Sequence, residues 1–133
     1  MAGTVSLVAG GSITPSSFIK VLTNDRQAVL CGAGDRCFGI SKEWTRLVPW
    51  EGLNDGFIAV AGESLALYAM PADSEAYLRL GGTVAVGDYI KSDASGFGVT
   101  AGTDGDEYGA QALEAGVSGT IVKVALVRGQ RGA

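Results

Sequence analysis

Short runs of β-branched and aromatic residues, each ended by Gly, Asp, Asn or Ser, follow one another along most of the chain. Residues 18–22 (FIKVL) form the first firm run, and residues 120–127 (TIVKVALV) form the longest. Turn residues recur about every 8–12 positions, a spacing typical of antiparallel sandwiches and barrels. About ten short strands are therefore expected. The pattern predicts an all-β fold, either a compact small barrel with a β-tulip-like shape or a sandwich.

Two segments depart from the simple alternation. Residues 109–115 (GAQALEA) contain good helix formers, but the segment is short and bounded by Gly at both ends, so a strand is expected. Residues 41–56 are the least strand-like part and read as a loop that carries Trp44 and Trp50. Large aromatic residues on a loop either cover an open end of the core or anchor contacts with a partner. Both alternatives stay open from sequence.

The N-terminal residues 1–16 are predicted to form an extended arm, and residues 17–133 a single β-rich body. Residues 4–8 alternate like a strand and are followed by two flexible joints, Gly10-Gly11-Ser12 and Pro15. Such a strand either pairs within its own domain or adds to the sheet of a neighbour. No repeat of 20–50 residues is visible, which argues against a propeller or a solenoid.

The amino-acid composition indicates that part of the surface forms contacts with other protein subunits. Hydrophobic residues make up 47% of the 133 residues, whereas charged residues make up only 18%, below the usual share of about 25%. A low charged fraction suggests that part of the surface is covered in an oligomer or a docked subunit. The net charge is −4 and no basic stripe is present, so direct nucleic-acid binding is not expected. No signal-peptide pattern and no long apolar stretch is seen, so cytoplasmic synthesis without membrane insertion is expected.

The residue types that catalysis most often requires are scarce. The chain has no His, the commonest general base and metal ligand. Cys31 and Cys37 lack the spacing of a zinc site and are expected to be buried thiols. The acidic run at residues 104–107 (DGDE) lacks the ligand spacing of a calcium loop. No catalytic, cofactor or metal site is therefore expected, and function is expected to lie on the surfaces.

An ordered series of segments resembles the small capsid cement, or decoration, proteins of tailed bacteriophages. The longest is GGTVAVGDYIKSDASG at residues 81–96, which resembles a family pattern of the form GxxVxxGDxVxSDxxG. The other matching segments are residues 37–41 (CFGIS), residues 61–65 (AGESL), and residues 109–116 (GAQALEAG) followed by residues 120–126. Residues 1–36 and the tryptophan loop lie outside this resemblance.

The resemblance implies a non-enzymatic virion protein without cofactors. Made in the host cytoplasm, it would form a homo-oligomer, with a trimer as the expected size. It would bind the outer surface of an icosahedral head at junctions between major capsid protein subunits. The candidate capsid or oligomer interface comprises Thr4, Val5, Leu7, Val8, Trp44, Arg46 and Trp50. The alternative is a receptor- or glycan-binding β-module of a virion, similar to a fibre head, whose aromatic residues would remain exposed.

Overall fold

Every regular element in the described part of the chain is a β-strand, so the all-β prediction is confirmed. The computed structural model describes residues 7–21, 27–35, 37–43, 57–69, 74–102 and 105–130. The strands are β1 Leu7–Ala9, β2 Phe18–Val21, β3 Gln27–Leu30, β4 Gly39–Ser41, β5 Ser64–Leu65, β6 Leu67–Tyr68, β7 Glu75–Arg79, β8 Tyr89–Ser92, β9 Gly98–Thr100, β10 Glu107–Ala112 and β11 Ile121–Gln130. Strand β10 covers residues 109–112 of the segment in which helix propensity and Gly boundaries disagreed, so the strand expectation is confirmed for that part, whereas residues 113–115 lie beyond the strand.

The first sheet curls into a small barrel because one short segment pairs with both of its edges. Its strand order is β5-β1-β3-β2-β4-β6. Strands β5 and β6 are separated by Ala66 alone, yet Leu65 pairs with Leu7 of β1 while Leu67 pairs with Ser41 of β4. The Lys42 N–H also donates to the Ala66 carbonyl at 3.0 Å. The two edges of the sheet are therefore joined through residues 64–68.

The second sheet forms a barrel in the same way. Its order is β7-β11-β10-β8-β9, and β11 pairs with both β7 and β10. A parallel bridge between Leu80 and Gly98 brings the β9 edge back to the end of β7. This sheet is therefore also nearly closed, with β11 in the place that β5 and β6 share in the first barrel.

The two barrels have the same topology and the same antiparallel register, and they differ, among the described residues, in that the first pairs Val8 with Gln27 where the second has only the isolated Leu80–Gly98 bridge. In the first barrel Leu7 pairs with Leu65, Phe18 with Ile40, Ile19 with Leu30, and Ile40 with Tyr68. The corresponding pairs of the second barrel are Leu78 with Val122, Tyr89 with Gln111, Ile90 with Thr100, and Gln111 with Ala125. The chain is thus an internal duplication whose halves span residues 7–69 and 78–126. This repeat is longer than the 20–50-residue periods considered from sequence.

Turns repeat as well as strands. Gly62 and Gly119 both have φ of +90°, and each donates its N–H back to the barrel, Gly62 to the Ala9 carbonyl and Gly119 to the Leu80 carbonyl. A positive φ is costly for residues with a side chain, which explains Gly at both positions. Other identical residues at equivalent positions are Leu7 and Leu78, Gly10 and Gly81, Gly11 and Gly82, Ile19 and Ile90, Lys20 and Lys91, Val29 and Val99, and Val60 and Val117.

Each barrel has its own core, and the second core extends into the first barrel. The first core is built largely of small and medium side chains, with alanines at positions 9, 28, 59 and 69. A barrel of so few strands leaves little interior volume, so small residues fit it. The second core contains the inward residues of β7, β8, β10 and β11 together with Phe18, Cys31, Cys37 and Ile40 of the first barrel. The two barrels therefore share one hydrophobic contact.

Backbone hydrogen bonds also join the barrels. The Phe18 N–H donates to the Gly96 carbonyl at 2.7 Å, and the Arg79 N–H donates to the Ser16 carbonyl at 2.8 Å. A Cβ placed on Gly96, whose φ is +85°, would lie 3.1 Å from the Phe18 carbonyl oxygen. Gly is required there both by the backbone angle and by the close approach of the two chains.

The described part of the predicted arm, residues 7–16, belongs to the first barrel. Strand β1 lies between β3 and β5, pairing in parallel with β3 and antiparallel with β5. The sequence left open whether this strand pairs within its own domain or adds to the sheet of a neighbour. In the structure, β1 pairs within its own sheet. Residues 1–6 lie outside the described residues, so the extended arm remains a prediction for them.

Candidate contact surfaces

The predicted interface residues fall into two groups. Thr4, Val5, Trp44, Arg46 and Trp50 lie outside the described residues and remain predictions. Leu7 and Val8 are neighbours in β1, where Leu7 is buried in the first core and Val8 is half-buried on the opposite face. Because the Leu7 side chain is already packed inside the barrel, only Val8 of these two can contact a partner without local unfolding.

The first barrel has a face that the second barrel covers, here called the docked face. It consists of Ser16, Phe18, Cys37 and Ile40, all of which are buried. Phe18 is only 1% exposed, and its ring lies against Gly109 of β10, where an added Cβ would stand 3.0 Å from the ring. Ser16 has φ of +53°, and its buried hydroxyl has no hydrogen-bond partner. The docked face is therefore held by packing at the cost of some local strain.

The equivalent positions of the second barrel form an open face, which consists of Gly87, Tyr89, Tyr108 and Gln111. Gly87 is exposed and the other three are half-buried. The rings of Tyr89 and Tyr108 stack with centroids 4.3 Å apart. At the margin of this face stand Val86, which is 66% exposed, and Leu113, which is 41% exposed. The second barrel therefore leaves uncovered the face that the first barrel uses.

A second apolar surface, here called the lateral patch, lies along β7 and β11. Tyr77 pairs with Lys123 and Ile121 pairs with Arg79, so Tyr77 and Ile121 are diagonal neighbours on the outer side of the barrel. Both are exposed, as is Val117 in the turn that leads into β11. Exposed aromatic and aliphatic residues grouped in this way are characteristic of protein contact surfaces.

A cleft borders the open face at the ends of β10 and β11. It has a volume of about 400 Å³ and is lined by Tyr108, Arg128, Gly129 and Gln130. Gln130 Nε2 donates to the Gly105 carbonyl at 3.0 Å, which holds one wall of the cleft in place. An aromatic ring beside a guanidinium and an amide can bind a small polar ligand through stacking and hydrogen bonds.

The thiol of Cys31 is engaged in a structural contact with Cys37. A hydrogen bond with Cys37, and burial after it, raise the pKa of the Cys31 thiol far above its ordinary value. Cys31 is therefore a neutral thiol and a poor nucleophile at neutral pH. Within the described ranges, no group of three His, Cys, Asp or Glu residues is placed to hold a metal ion.

Each barrel has an ion pair at the same place. Lys20 Nζ lies 2.6 Å from Asp35 Oδ2, and the equivalent Lys91 Nζ lies 3.0 Å from Asp106 Oδ2. The hydrogen bond from Lys20, together with one from the Gly32 N–H, lowers the pKa of Asp35. Asp106, which the sequence offered as part of an acidic run, thus has a cation partner within its own barrel.

Sequence reasoning missed the open face and the lateral patch. The margin of the open face and the lateral patch become visible when the two halves are aligned, because an apolar residue of the second half then stands opposite a polar residue of the first. Leu113 occupies the position of Lys42, and Ile121 occupies the position of Ser64. An exposed apolar residue at a position where the duplicate is polar is the signal that would have located them.

The fold defines a class of protein, an all-β chain made of two equivalent small barrels that share one hydrophobic contact. Among solved structures it is similar to the crystal structure of the head fiber gp8.5 N base in bacteriophage phi29. The match has a TM-score of 0.55 and 15% sequence identity, and it covers 96% of this chain and 96% of that chain. At this level of identity the likeness shows the fold.

Neither family models nor the curated proteins give a match to the chain. In the part of the chain that the structure describes, no helix is long and apolar enough to cross a membrane.

Proposed function

We propose that this chain is a structural protein of a bacteriophage virion that binds the outer surface of the head and has no catalytic role. The observation that carries the proposal is the shared fold, over 96% of both chains, with the base of a phage head fibre. The resemblance of residues 81–96, 109–116 and 120–126 to phage capsid decoration proteins, which rests on sequence alone, supports the same class of function.

Within this role we propose a cement or decoration function at junctions between major capsid protein subunits. A protein that binds the assembled, expanded shell but not its free subunits stabilises the shell by mass action. Weak contacts suffice when an oligomer touches several capsid subunits at once, because the later contacts form intramolecularly. The shell would then resist the outward pressure of packaged DNA better than a bare one.

The lateral patch is the surface proposed to contact the capsid. Tyr77 and Ile121 stand on the paired strands β7 and β11, so their backbone positions are fixed by the barrel before binding. Preorganised apolar anchors lose little conformational entropy on binding. Tyr is among the residues enriched at the energetic centres of interfaces.

A receptor- or glycan-binding role is the second candidate, and the cleft favours it. Tyr108, Arg128 and Gln130 offer a ring, a guanidinium and an amide around a volume of about 400 Å³. These groups suit a sugar, which presents apolar ring faces and many hydroxyls. The similarity to a head fibre is as compatible with this role as with cement.

The deciding experiment is co-sedimentation of the purified protein with expanded and unexpanded phage capsids. The cement role predicts saturable binding to expanded capsids in a fixed ratio to the major capsid protein, and a higher temperature of DNA release. Ile121→Ser, which installs the residue of the equivalent Ser64 position, should weaken capsid binding about tenfold, as expected for losing one buried aliphatic side chain. Arg128→Ala is the matched control and should leave capsid binding unchanged.

The same two variants separate the alternatives. Binding to a glycan array that Arg128→Ala abolishes and Ile121→Ser preserves, with no capsid binding, would replace the cement role by the receptor role. Absence of both activities in the folded protein would reject the proposed function.

A further inference from the structure

We infer that the cleft at the ends of β10 and β11 binds an acidic saccharide, a sugar chain whose rings carry carboxylate groups. This inference names the ligand class for the glycan-binding candidate described above, and it rests on that candidate. It does not depend on binding to a capsid, because the cleft and the lateral patch are formed by different residues.

The preference for an acidic ligand follows from Arg128. Its guanidinium lies over the Phe38 ring, with Cζ 5.7 Å from the ring centroid, and in the described part of the chain no carboxylate is paired with it. The N–H groups of a guanidinium lie in its plane, so packing against a ring leaves them available for a ligand. Their fixed fork fits the two oxygens of a carboxylate, and such a charge-assisted pair is about twice as strong as a neutral hydrogen bond.

A β-bulge places Arg128 at the cleft. The register between β10 and β11 shifts between Tyr108 and Ala110. The shift leaves Gly109 opposite both Val127 and Arg128. An extra residue in one strand turns a side chain away from the direction that regular alternation would give it, and bulges of this kind are common next to binding sites. The direction of the Arg128 side chain is therefore built into the strand pairing.

Tyr108 gives the cleft an aromatic surface for a sugar ring. One face of its ring is covered by Tyr89, at a centroid separation of 4.3 Å, which holds the ring in place. Gly129 is the cross-strand partner of Tyr108, and a Cβ on it would lie 2.6 Å from the Tyr108 hydroxyl oxygen. The missing side chain therefore keeps open the space beside the ring. An aromatic ring that is accessible from one side suits the apolar face of a sugar.

Polar groups for the hydroxyls of a sugar are also present. Gln130 Nε2 donates to the Gly105 carbonyl at 3.0 Å, so Oε1 of the same amide remains as an acceptor. The Tyr108 hydroxyl can donate or accept. A simple carboxylate would leave these groups unused, whereas a saccharide uses the ring, the amide and the guanidinium together. The volume of about 400 Å³ lies within the ~300–1,000 Å³ typical of small-molecule sites.

The surroundings of the cleft are compatible with a bound carboxylate. Asp106 lies on the same side of β10 as Tyr108, and its charge is balanced by Lys91, whose Nζ is 3.0 Å from Asp106 Oδ2. The equivalent of Tyr108 in the first barrel is Cys37, which is buried on the docked face. The aromatic surface is therefore a property of the second barrel alone.

An array of saccharides in matched pairs tests the inference. Oligosaccharides that contain uronic or sialic acids are immobilised beside their methyl esters, which keep the rings and lose the charge. The wild-type protein should bind the acid form of at least one pair about tenfold more tightly than its ester. Arg128→Gln keeps a hydrogen-bonding side chain without the charge, so it should bind both forms equally. Tyr108→Leu should weaken binding of both forms.

Arg79→Gln is the matched control. Arg79 is also exposed and also lies over a ring, that of Phe97, with Cζ 4.9 Å from its centroid. It pairs with Ile121 at the opposite end of β11 from the cleft, so its loss should leave the preference for acids unchanged. Because Arg128 and Arg79 are both exposed, both variants should melt at the temperature of the wild-type protein.

Three results would overturn the inference. An array on which no saccharide is bound rejects it, and capsid co-sedimentation by the same preparation then leaves the structural role standing. Equal binding of acids and esters rejects the acidic ligand but keeps the glycan-binding candidate. A preference for acids that survives Arg128→Gln, or that Arg79→Gln abolishes, places the binding site outside the cleft.

Discussion

The two barrels repeat one another in strand order and register, yet one is covered where the other is open. Phe18 and Ile40 are buried under the second barrel, whereas Tyr89 and Gln111, at the same positions, are only half-buried. The first barrel uses its docked face to contact the second barrel, and the equivalent open face of the second barrel has no barrel against it. The comparison therefore locates candidate binding surfaces without reference to any ligand.

Side-chain replacements between the barrels follow this difference in environment. Lys42 and Ser64 of the first barrel correspond to Leu113 and Ile121 of the second, which are exposed and apolar. Neither replacement improves a core, because both side chains point away from the barrel interior. Their apolar character is best explained by contacts outside the chain.

The largest expected difference between the barrels is the response of the equivalent aromatic residues to truncation. Phe18→Ala removes a fully buried ring from the shared contact and should lower the free energy of unfolding by about 3–5 kcal/mol. Tyr89→Ala acts at a half-buried site outside the shared contact and should lower the free energy of unfolding by about 1 kcal/mol. Urea unfolding at low protein concentration measures both. Equal losses would show that the barrels do not depend on the docked face in the way described.

A glycine pair tests how closely the barrels approach. Gly96→Ala and Gly62→Ala both place a side chain at positive φ, which costs about 1–2 kcal/mol. Gly62 has open space around its missing Cβ, whereas at Gly96 the new Cβ would meet the Phe18 carbonyl. Gly96→Ala should therefore cost about 1–3 kcal/mol more than Gly62→Ala. If thermal unfolding shows the same loss for both variants, the barrels are less closely packed than the structure shows.

Exchanging residues at the matched positive-φ positions should move stability in opposite directions. Ser16→Gly relieves the backbone strain and removes a buried hydroxyl without a partner, so it should stabilise the protein by up to about 1 kcal/mol after the entropy cost of Gly. Gly87→Ser introduces strain at an exposed site and should destabilise by about 1–2 kcal/mol. Paired chemical unfolding curves give both values. Destabilisation by Ser16→Gly would mean that the hydroxyl fills space the core needs.

The smallest effect concerns the ion pair of the first barrel. Its hydrogen bonds lower the pKa of Asp35 below the ordinary value of 3.8, so the stability it provides is present at neutral pH and is lost as the pH falls through the lowered pKa. Asp35→Asn should cost no more than about 1 kcal/mol at pH 7, since the pair is partly exposed to solvent. Melting temperatures of the two proteins should converge once the pH has fallen below the lowered pKa of Asp35. A difference that persists there would assign the effect to packing.

Strand positions were largely predictable from the sequence, because alternation and turn residues are local signals. Strand β11 lies where the longest β-branched run predicts it, and β10 lies where Gly boundaries outweighed helix propensity. The duplication was not predictable in the same way. Its identical residues are few and belong mainly to turns and single strand positions, which many β-proteins share.

Unequal loops hid the duplication further. The second half joins Leu113 to Gly116 through Glu114 and Ala115, whereas the first half joins the equivalent Lys42 to Ala59 through residues 43–58. Trp44 and Trp50 belong to this insertion, so they have no counterpart in the second barrel. The contact surfaces could not be predicted for a different reason. The exposure of Phe18 and of Tyr89 depends on whether the other barrel lies against that side chain. The residues next to them in the sequence carry no information about this packing.

The contiguity of each barrel in the chain has a consequence for synthesis on the ribosome. All described strands of the first barrel lie between residues 7 and 68, so it can close outside the ribosome while the second barrel, whose strands begin at Glu75, is still inside the exit tunnel. Until the second barrel emerges, the nascent chain carries Phe18, Cys37 and Ile40 on an uncovered surface. We expect translation pauses within residues 75–130 to increase chaperone capture and aggregation, and completion of β11 to end that period of risk.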